Sequence, residues 1–154
     1  MPKARSIYIF GSEPQVGKSV VLLGIMKLLS RHMHKLGFFR PLVREGRRTK
    51  DHAFRLISSR YHLPFTTGVR YGMTLEKARA LVGEEKYDEL LKRILEEYKS
   101  LESDCDVVVC LATGFRDIPP GLALKLTSWN IRFPNFQKQC ILKQQICNAD
   151  MLRP

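Results

Sequence analysis

The segment GSEPQVGKS, Gly11 to Ser19, contains the residue types of a phosphate-binding loop. Such a loop wraps successive backbone N–H groups around phosphate oxygens at the positive end of the helix that follows, and glycines permit its curled backbone. In that arrangement Lys18 would reach the terminal phosphates of a nucleotide as a point charge. The Ser19 hydroxyl would bind a magnesium ion. The segment therefore predicts a site for a nucleoside triphosphate with Mg2+.

The spacing of this loop differs from the common pattern by one residue. The usual motif has four residues between its first glycine and the Gly-Lys-Ser/Thr group, whereas five residues separate Gly11 from Gly17. The flanking sequence supports the motif, because the loop leaves a predicted strand and enters a predicted helix. The strand is SIYIF, residues 6 to 10, a short run rich in β-branched and aromatic residues.

The apolar residues after Lys18 predict a helix that continues to Leu36. They recur every three or four positions, as Val21, Leu22, Ile25, Met26, Leu28, Leu29, Met33 and Leu36. Gly37 is expected to cap the C-terminus of this helix, and FFRPLV is expected to begin a second strand. A strand, a loop, a helix and a strand form a βαβ unit, so we expect a parallel sheet with a right-handed crossover.

Three further helices and one central strand are predicted downstream. HAFRLISSRYH forms the first helix, Thr74 caps the start of a second that ends at Gly83, and a long amphipathic helix follows. The apolar stripe of that long helix consists of Tyr87, Leu90, Leu91, Ile94, Tyr98 and Leu101. VVVCL, residues 107 to 111, is a continuous apolar run, typical of a central parallel strand covered on both faces. The predicted fold is a three-layer α/β domain whose parallel sheet is flanked by helices.

GSEPQVGKS resembles the loop of dethiobiotin synthetase and its relatives, in which a glycine, five residues and Gly-Lys-Thr form the same cradle. The wider pattern of GSEPQVGKSVVLLGIMKLL, LGFFRPLV, KDHAFRLISSRYHL, GMTLEKARALV and KYDELLKRILEEYKSLESDCDVVVC is similar to the N-terminal P-loop domain of long bacterial-type phosphate acetyltransferases. This resemblance covers about residues 4 to 115. It implies a P-loop NTPase-like fold, with ATP and Mg2+ as cofactors.

The resemblance also implies roles for particular residues. The synthetase loop commonly has an acid and a valine where Glu13 and Val16 stand. Its relatives have a substrate-facing lysine in the place of Arg40 and a carboxylate that can help to hold magnesium in the place of Asp51. The implied cofactor-binding residues are Gly11, Glu13, Val16, Gly17, Lys18, Ser19, Val20 and Arg40, and the implied metal ligands are Ser19 and Asp51. An ordinary surface charge is the alternative interpretation of both Arg40 and Asp51.

The segment after the predicted central strand departs from the family. The family has a Glu-Gly-Thr-Asp-like segment there, whose glutamate helps to organise magnesium and the attacking groups, whereas this chain has LATGF. Leu111 replaces the glutamate, Ala112 the glycine and Gly114 the second acid. A hard cation needs oxygen ligands, which leucine does not have, so weak ATP hydrolysis or none is expected.

The resemblance fades beyond Phe115, and the remaining residues show no sustained period of 2 or 3.6. We therefore divide the chain into a partial P-loop domain, residues 1–115, and a divergent tail of uncertain structure, residues 116–154. The sheet is expected to be incomplete on its C-terminal side. A truncated or frameshifted gene product with a non-native tail is one interpretation of this pattern.

Two functions follow from the resemblance. The first is a nucleotide-binding domain that supports regulation and oligomer assembly, as the N-terminal domain does in the phosphate acetyltransferase family, without the acetyltransferase catalytic domain. The alternative is a stand-alone ATP-dependent ligase like dethiobiotin synthetase, which would need the acid that Leu111 replaces. The expected partners are a nucleotide, a second copy of the chain and, in a longer parent protein, an acetyltransferase domain.

The net charge of +11 raises the question of nucleic-acid binding. Residues 1 to 83 contain sixteen Lys and Arg against four Asp and Glu, so the excess lies in the half with the loop. No recognition motif is present, and aromatic residues are not interleaved with the basic ones, so a nucleic-acid-binding module is disfavoured. A Ras-like GTPase is also disfavoured, because the sequence has no Asn-Lys-x-Asp segment to bind guanine.

The remaining chemistry-bearing residues do not predict a metal site. The cysteines form no Cys-x-x-Cys pair and have no histidines at zinc-ligand spacing, so reduced thiols without a metal are expected. They are Cys105, Cys110, Cys140 and Cys147. His32 and His34 are expected on the surface of the first helix. No run of about 18 apolar residues occurs, and the N-terminal apolar run is too short for a signal peptide, so we expect a cytoplasmic protein without a membrane span.

Overall fold

The computed structural model describes residues 4–9, 17–44, 52–61 and 68–112. Its elements follow the order β1 (Arg5–Ile9), α1 (Lys18–Leu29), β2 (Leu36–Val43), α2 (His52–Tyr61), β3 (Val69–Thr74), α3 (Leu75–Gly83), α4 (Tyr87–Asp104) and β4 (Val107–Leu111). The four strands form one sheet in the order β1-β4-β2-β3, and each neighbouring pair is parallel. The predicted parallel α/β fold is therefore confirmed.

β4 lies inside the sheet, as its apolar sequence predicts. Val109 is the register partner of Ile7 on one side and of Phe38 on the other. All five residues of β4 are buried. A strand covered on both faces has no solvent-facing side, which explains why VVVCL shows no alternation of apolar and polar residues.

Helices cover both faces of the sheet and enclose two cores. The first core lies against α1 and α2 and includes Leu22, Met26, Phe38, Ile57 and Val109. The second core lies against α3 and α4 and includes Phe39, Leu75, Leu90, Ile94 and Val108. The consecutive residues Phe38 and Phe39 enter opposite cores because successive side chains of a strand point to opposite faces. This arrangement is the predicted three-layer structure.

α1 is shorter than the sequence predicts. It ends at Leu29, where the Ser30 amide donates a hydrogen bond to the Met26 carbonyl at 2.9 Å, and a turn follows. The predicted continuation to Leu36 is wrong, because Leu36 begins β2 and is buried in the first core. The apolar period runs on because the end of the helix and the start of the strand both supply core residues.

Two details of the sequence-based prediction change with that boundary. His32 was expected on the helix but lies in the turn after α1, where its amide donates a hydrogen bond to the Leu29 carbonyl at 3.0 Å. His34 lies beyond the helix as well and is exposed. Gly37 does not cap a helix but lies within β2, where an added Cβ would stand 2.8 Å from the Cys105 sulfur. The glycine is needed there for close packing.

The downstream prediction omitted one strand and placed the helices well. β3 was not expected, since its sequence VRYGMT has a central glycine and only weak alternation, but it pairs with β2 along its length. Thr74 caps α3 as predicted, with its hydroxyl accepting from the Lys77 amide at 3.5 Å. The apolar stripe predicted for α4 is confirmed by the burial of Leu90, Ile94 and Leu101. Within the described ranges, no helix has both the length and the apolar character needed to cross a bilayer.

Candidate functional site

The carboxyl ends of the parallel strands meet at one edge of the sheet. Ile9, the last residue of β1, is the register partner of Leu111, the last residue of β4. The Ala112 amide donates to the Ile9 carbonyl at 2.9 Å and ties the two strand ends together. In open parallel sheets, ligands bind outside this edge. Because α1 carries the chain from the carboxyl end of β1 back to the start of β2, the first turn of α1 lies at the same edge.

Gly17 precedes α1 in a backbone conformation that favours glycine. Its φ of 71° and ψ of 20° lie in the left-handed region. Its carbonyl accepts hydrogen bonds from the Val20 amide at 2.9 Å and from the Val21 amide at 3.3 Å, which starts the helix without a side-chain cap. An added Cβ would meet no atom of the described residues within 4 Å, so among them the requirement for glycine is conformational and not a matter of space. The last glycine of the motif therefore has the left-handed conformation that glycine adopts most readily.

Lys18, Ser19 and Val20 occupy the first turn of α1. Lys18 and Ser19 are half-buried, whereas the Val20 side chain is exposed. This turn contains no acidic residue. The amides at the start of a helix point outward, and the helix dipole makes this end positive. A lysine, a hydroxyl and a positive helix end thus meet in one turn, and this combination attracts an anion such as a phosphate group.

Arg40 lies on β2, three residues before the carboxyl end of that strand. Side chains two residues apart on a strand share a face, so Arg40 lies on the face of Phe38, which packs beneath α1 and α2. Its register partner on β3 is Tyr71. Three residues of strand span about 10 Å, so Arg40 lies below the edge at which α1 begins. Arg40 therefore lies on the α1 and α2 face of the sheet, and its role as a ligand stays a prediction.

The end of β4 is apolar. Leu111 and Ala112 are both buried, and neither has an oxygen-bearing side chain. The neighbouring Cys110 is fully buried, and burial raises the pKa of its thiol well above its usual range, so it stays neutral and is not a nucleophile. The described residues include no group of three or more His, Cys, Asp or Glu side chains that could hold a metal ion.

Several predicted site residues lie outside the described residues. These are Gly11, Glu13 and Val16 of the loop, and Asp51, the predicted metal ligand. The boundary proposed at residue 115 and the tail that follows it lie outside as well. The structure adds one contact that the sequence did not indicate, the Ala112 amide on the Ile9 carbonyl, because pairing between distant strands leaves no local signal.

The sequence profile of a family described as "AAA domain" matches residues 5–121. The chain belongs to this family. The AAA domain match spans the loop, all the described elements and the end of β4, so it covers the candidate site as a whole. Together with the parallel sheet and the glycine-led first turn of α1, it establishes a P-loop domain like that of the dethiobiotin synthetase group.

Comparison with curated proteins gives a consistent set of relatives. The chain is 36% identical over 113 residues to the phosphate acetyltransferase of Nitratidesulfovibrio vulgaris, a match that covers 73% of this chain and 16% of the relative. It is 29% identical over 111 residues to the phosphate acetyltransferase of a Synechocystis species, covering 71% of this chain and 16% of the relative. The predicted resemblance to a P-loop domain of phosphate acetyltransferases is confirmed. The chain spans only about a sixth of the length of these relatives. No solved structure gives a significant match.

Proposed function

We propose that this chain is a nucleotide-binding domain that takes ATP with Mg2+ and serves regulation and assembly without catalysing phosphoryl transfer. The observation that carries the proposal is Gly17 in the left-handed region, directly before a first turn that holds Lys18 and Ser19 at the carboxyl edge of the sheet. Backbone amides, the Lys18 ammonium group and the helix dipole would bind the phosphates together. The AAA domain match supports the same assignment.

The donor atoms fit the phosphates better than they fit the metal ion. The Ser19 hydroxyl is the candidate ligand in the first turn, and Asp51, outside the described residues, is the second. Bound Mg2+ would neutralise phosphate charge. The end of β4 offers Leu111 where the resembling family has a glutamate, so the magnesium ligand set lacks a carboxylate at that position. We therefore expect ATP to bind with little or no hydrolysis.

The regulatory and assembly role is proposed from the resemblance to phosphate acetyltransferases. Both are named phosphate acetyltransferases, and this chain matches about a sixth of each. We infer that the domain binds nucleotide within, or beside, a larger acetyltransferase assembly, with a cytoplasmic location as part of the same proposal. Acetyl transfer between acetyl-CoA and phosphate is expected to be undetectable with this chain alone. A rate that is abolished by a substitution in this chain would contradict that expectation.

Calorimetric titration of Mg-ATP tests nucleotide binding. Wild-type protein is expected to bind, and Lys18→Ala to lose binding by about tenfold or more, because a charge-assisted contact to phosphate is removed. Lys27→Ala is the matched control, since Lys27 lies in the last turn of the same helix and is exposed. Equal binding by wild type and Lys18→Ala would refute the proposed site. Phosphate release measured in parallel separates binding from turnover.

The alternative function is a ligase like dethiobiotin synthetase. The assay is ADP release on addition of diaminopelargonic acid and bicarbonate, compared between wild type and Lys18→Ala. The buried apolar end of β4 argues against this activity, because no described residue of that strand end can bind a cation or take a proton. Substrate-dependent ADP release that is lost in Lys18→Ala would favour the ligase over the regulatory domain.

A further inference from the structure

α1 exposes aliphatic side chains on the side that faces away from the sheet. Val20 is 72% exposed and Leu28 is 61% exposed, and Gly24 lies between them, one helical turn from each. We call Val20, Gly24 and Leu28 the outer stripe. Among the described residues, Val20 and Leu28 are the large hydrophobic side chains that stand exposed. Two exposed aliphatic side chains in line on one helix form an apolar contact surface.

Nothing in the described part of the chain explains why a glycine occupies position 24. Its backbone is helical, without a positive φ, and an added Cβ would meet no atom within 4 Å. Glycine inside a helix is less stable than alanine, because it orders a more flexible backbone. Neither strain nor internal packing explains the residue. A glycine on an exposed helix face does allow the backbone of another element to approach closely.

The two helical layers differ sharply in charge. The described residues 4–9, 17–44 and 52–61, which include α1 and α2, contain nine Lys and Arg and no Asp or Glu. Residues 68–112, which include α3 and α4, contain seven Lys and Arg against ten Asp and Glu. Lys27 and Arg31, both exposed, lie beside Leu28 at the end of the outer stripe. The surface around the stripe therefore favours an acidic partner.

We infer that the outer stripe is a docking surface for an acidic amphipathic α-helix of a partner protein. Aliphatic residues spaced three and four apart on the partner would pack against Leu28 and over Gly24. Its acidic residues would lie beside Lys27 and Arg31. The glycine permits an interaxial distance near the short end of the range for helix packing, about 8 Å. In this helix-on-helix binding, the apolar contacts supply the affinity and the charged residues supply the specificity for the partner.

Other occupants fit the observations less well. Two outer stripes brought together would place the basic side chains of one copy against those of the other, which is unfavourable. The acidic layer of a second copy has no exposed large hydrophobic side chain among residues 68–112 to contact Leu28. A lipid surface needs more buried apolar area than two aliphatic side chains provide. The acidic helix satisfies the apolar, steric and charge requirements together.

Binding of three stapled helical peptides to the full chain tests the inference. The fluorescently labelled peptides, each of about 18 residues, share the same leucine positions and differ only in carrying glutamate, glutamine or lysine on the flanks of the leucine face. We expect the glutamate peptide to bind on the order of tenfold more tightly than the glutamine peptide, and the lysine peptide more weakly still. Leu28→Glu and Gly24→Leu are each expected to weaken the glutamate peptide on the order of tenfold.

A matched pair of charge reversals distinguishes local docking at the outer stripe from attraction of the peptide by the net charge of the whole protein. Lys27→Glu and Lys99→Glu change the net charge equally and alter exposed lysines in opposite layers. Only Lys27→Glu should weaken the glutamate peptide, and circular dichroism checks that every variant is folded. The inference is overturned if the three peptides bind alike, if none binds, or if the two reversals act equally. A dimer lost in Leu28→Glu, or binding to phosphatidylserine vesicles lost in that variant, would also overturn it in favour of a second copy or a lipid surface.

Discussion

Single residues in this chain are constrained by backbone conformation and burial more than by charge. Gly17 adopts a positive φ and its added Cβ would meet no atom of the described residues within 4 Å, whereas Gly37 and Gly72 have ordinary φ values and no room for a Cβ. The sequence motif predicted a permissive glycine backbone directly before α1, and Gly17 has the positive φ that fits this prediction. The motif could not explain Gly37 or Gly72, because the atoms that exclude a Cβ there belong to elements distant in the chain.

Gly17→Ala should destabilise the protein through its backbone alone. A left-handed conformation costs a non-glycine residue about 1 to 2 kcal/mol, so the free energy of unfolding in urea should fall by about that amount. Gly83→Ala is the control, since Gly83 ends α3 without a positive φ and an added Cβ meets nothing there. That variant should be as stable as wild type or slightly more stable. Equal losses in the two variants would show that φ at Gly17 is not the cause.

The thiol of Cys105 should react slowly at neutral pH. Burial, followed by the nearby Asp104 and Asp106 carboxylates, raises its pKa from 9.0 to about 11. Only the thiolate is nucleophilic, so its fraction at pH 8 should be about a hundredfold lower than for a thiol of ordinary pKa. Alkylation by iodoacetamide measures this rate in a Cys140→Ser, Cys147→Ser background, in which the cysteines outside the described residues are removed. The rate should rise about tenfold per pH unit up to pH 11, and a plateau near pH 9 would contradict the burial argument.

At the scale of elements, the sequence predicted the helices and strands that have a clear local periodicity, and it missed the strand that depends on pairing with a distant strand. α4 and β4 were predicted because a long amphipathic stripe and a continuous apolar run each have one interpretation. The end of α1 was misplaced because Leu29 and Leu36 continue one spacing, although a turn separates them. β3 was missed because its stability comes from pairing with β2 and not from its own sequence. The sequence motif indicated where the candidate site lies. That the apolar Leu111 lies at the same sheet edge as the end of β1 became clear only from the pairing of β4 with β1.

Two glycines test how tightly the elements pack. An added Cβ at Gly72 in β3 would lie 2.6 Å from the Pro41 carbonyl oxygen of β2 and 2.8 Å from a carbon of Ile94 in α4. A backbone oxygen held in a sheet cannot move aside easily, so Gly72→Ala should lower the free energy of unfolding by about 1 to 3 kcal/mol. Gly24→Ala, on the open side of α1, should raise it by about 0.5 to 1 kcal/mol. Urea unfolding of both variants gives the comparison, and a Gly72→Ala protein as stable as wild type would show that the Pro41 oxygen and Ile94 can move to make room for a Cβ.

At the scale of the whole molecule, the two proposed contact sites lie on one helical layer, although the buried side of α1 also contributes Leu22 and Met26 to the first core. α1 carries both proposed contact sites, with its first turn at the nucleotide edge and its outer stripe facing a partner. The opposite layer has no proposed ligand and contains a part-buried polar contact. There the Tyr98 hydroxyl on α4 hydrogen-bonds the Ser6 hydroxyl on β1, and its ring packs edge-on against Phe39 at a centroid distance of 5.4 Å. This contact ties the edge strand of the described sheet to the helical layer.

The buried Tyr98 makes global stability depend on alkaline pH. Burial, then the nearby Cys110, raises the pKa of Tyr98 above its ordinary value of 10.0. The unfolded chain therefore releases this proton at lower pH than the folded chain does. The stabilisation is fully present below pH 10 and is lost as pH rises toward the folded pKa, by about 1.4 kcal/mol per pH unit for this one group.

Tyr98→Phe should remove that dependence. The variant should be less stable than wild type by about 1 kcal/mol at pH 7 to 9, because the Ser6 hydroxyl loses its partner. Above pH 10 the difference should shrink, because only the wild type loses stability through the tyrosine proton. Urea unfolding at a series of pH values measures both curves. Leu75→Ala serves as the control, since Leu75 is a non-titrating residue buried in the same core, and its difference from wild type should not change with pH. A constant difference between wild type and Tyr98→Phe up to pH 11 would mean that the tyrosine ionises in the folded protein as readily as in the unfolded chain.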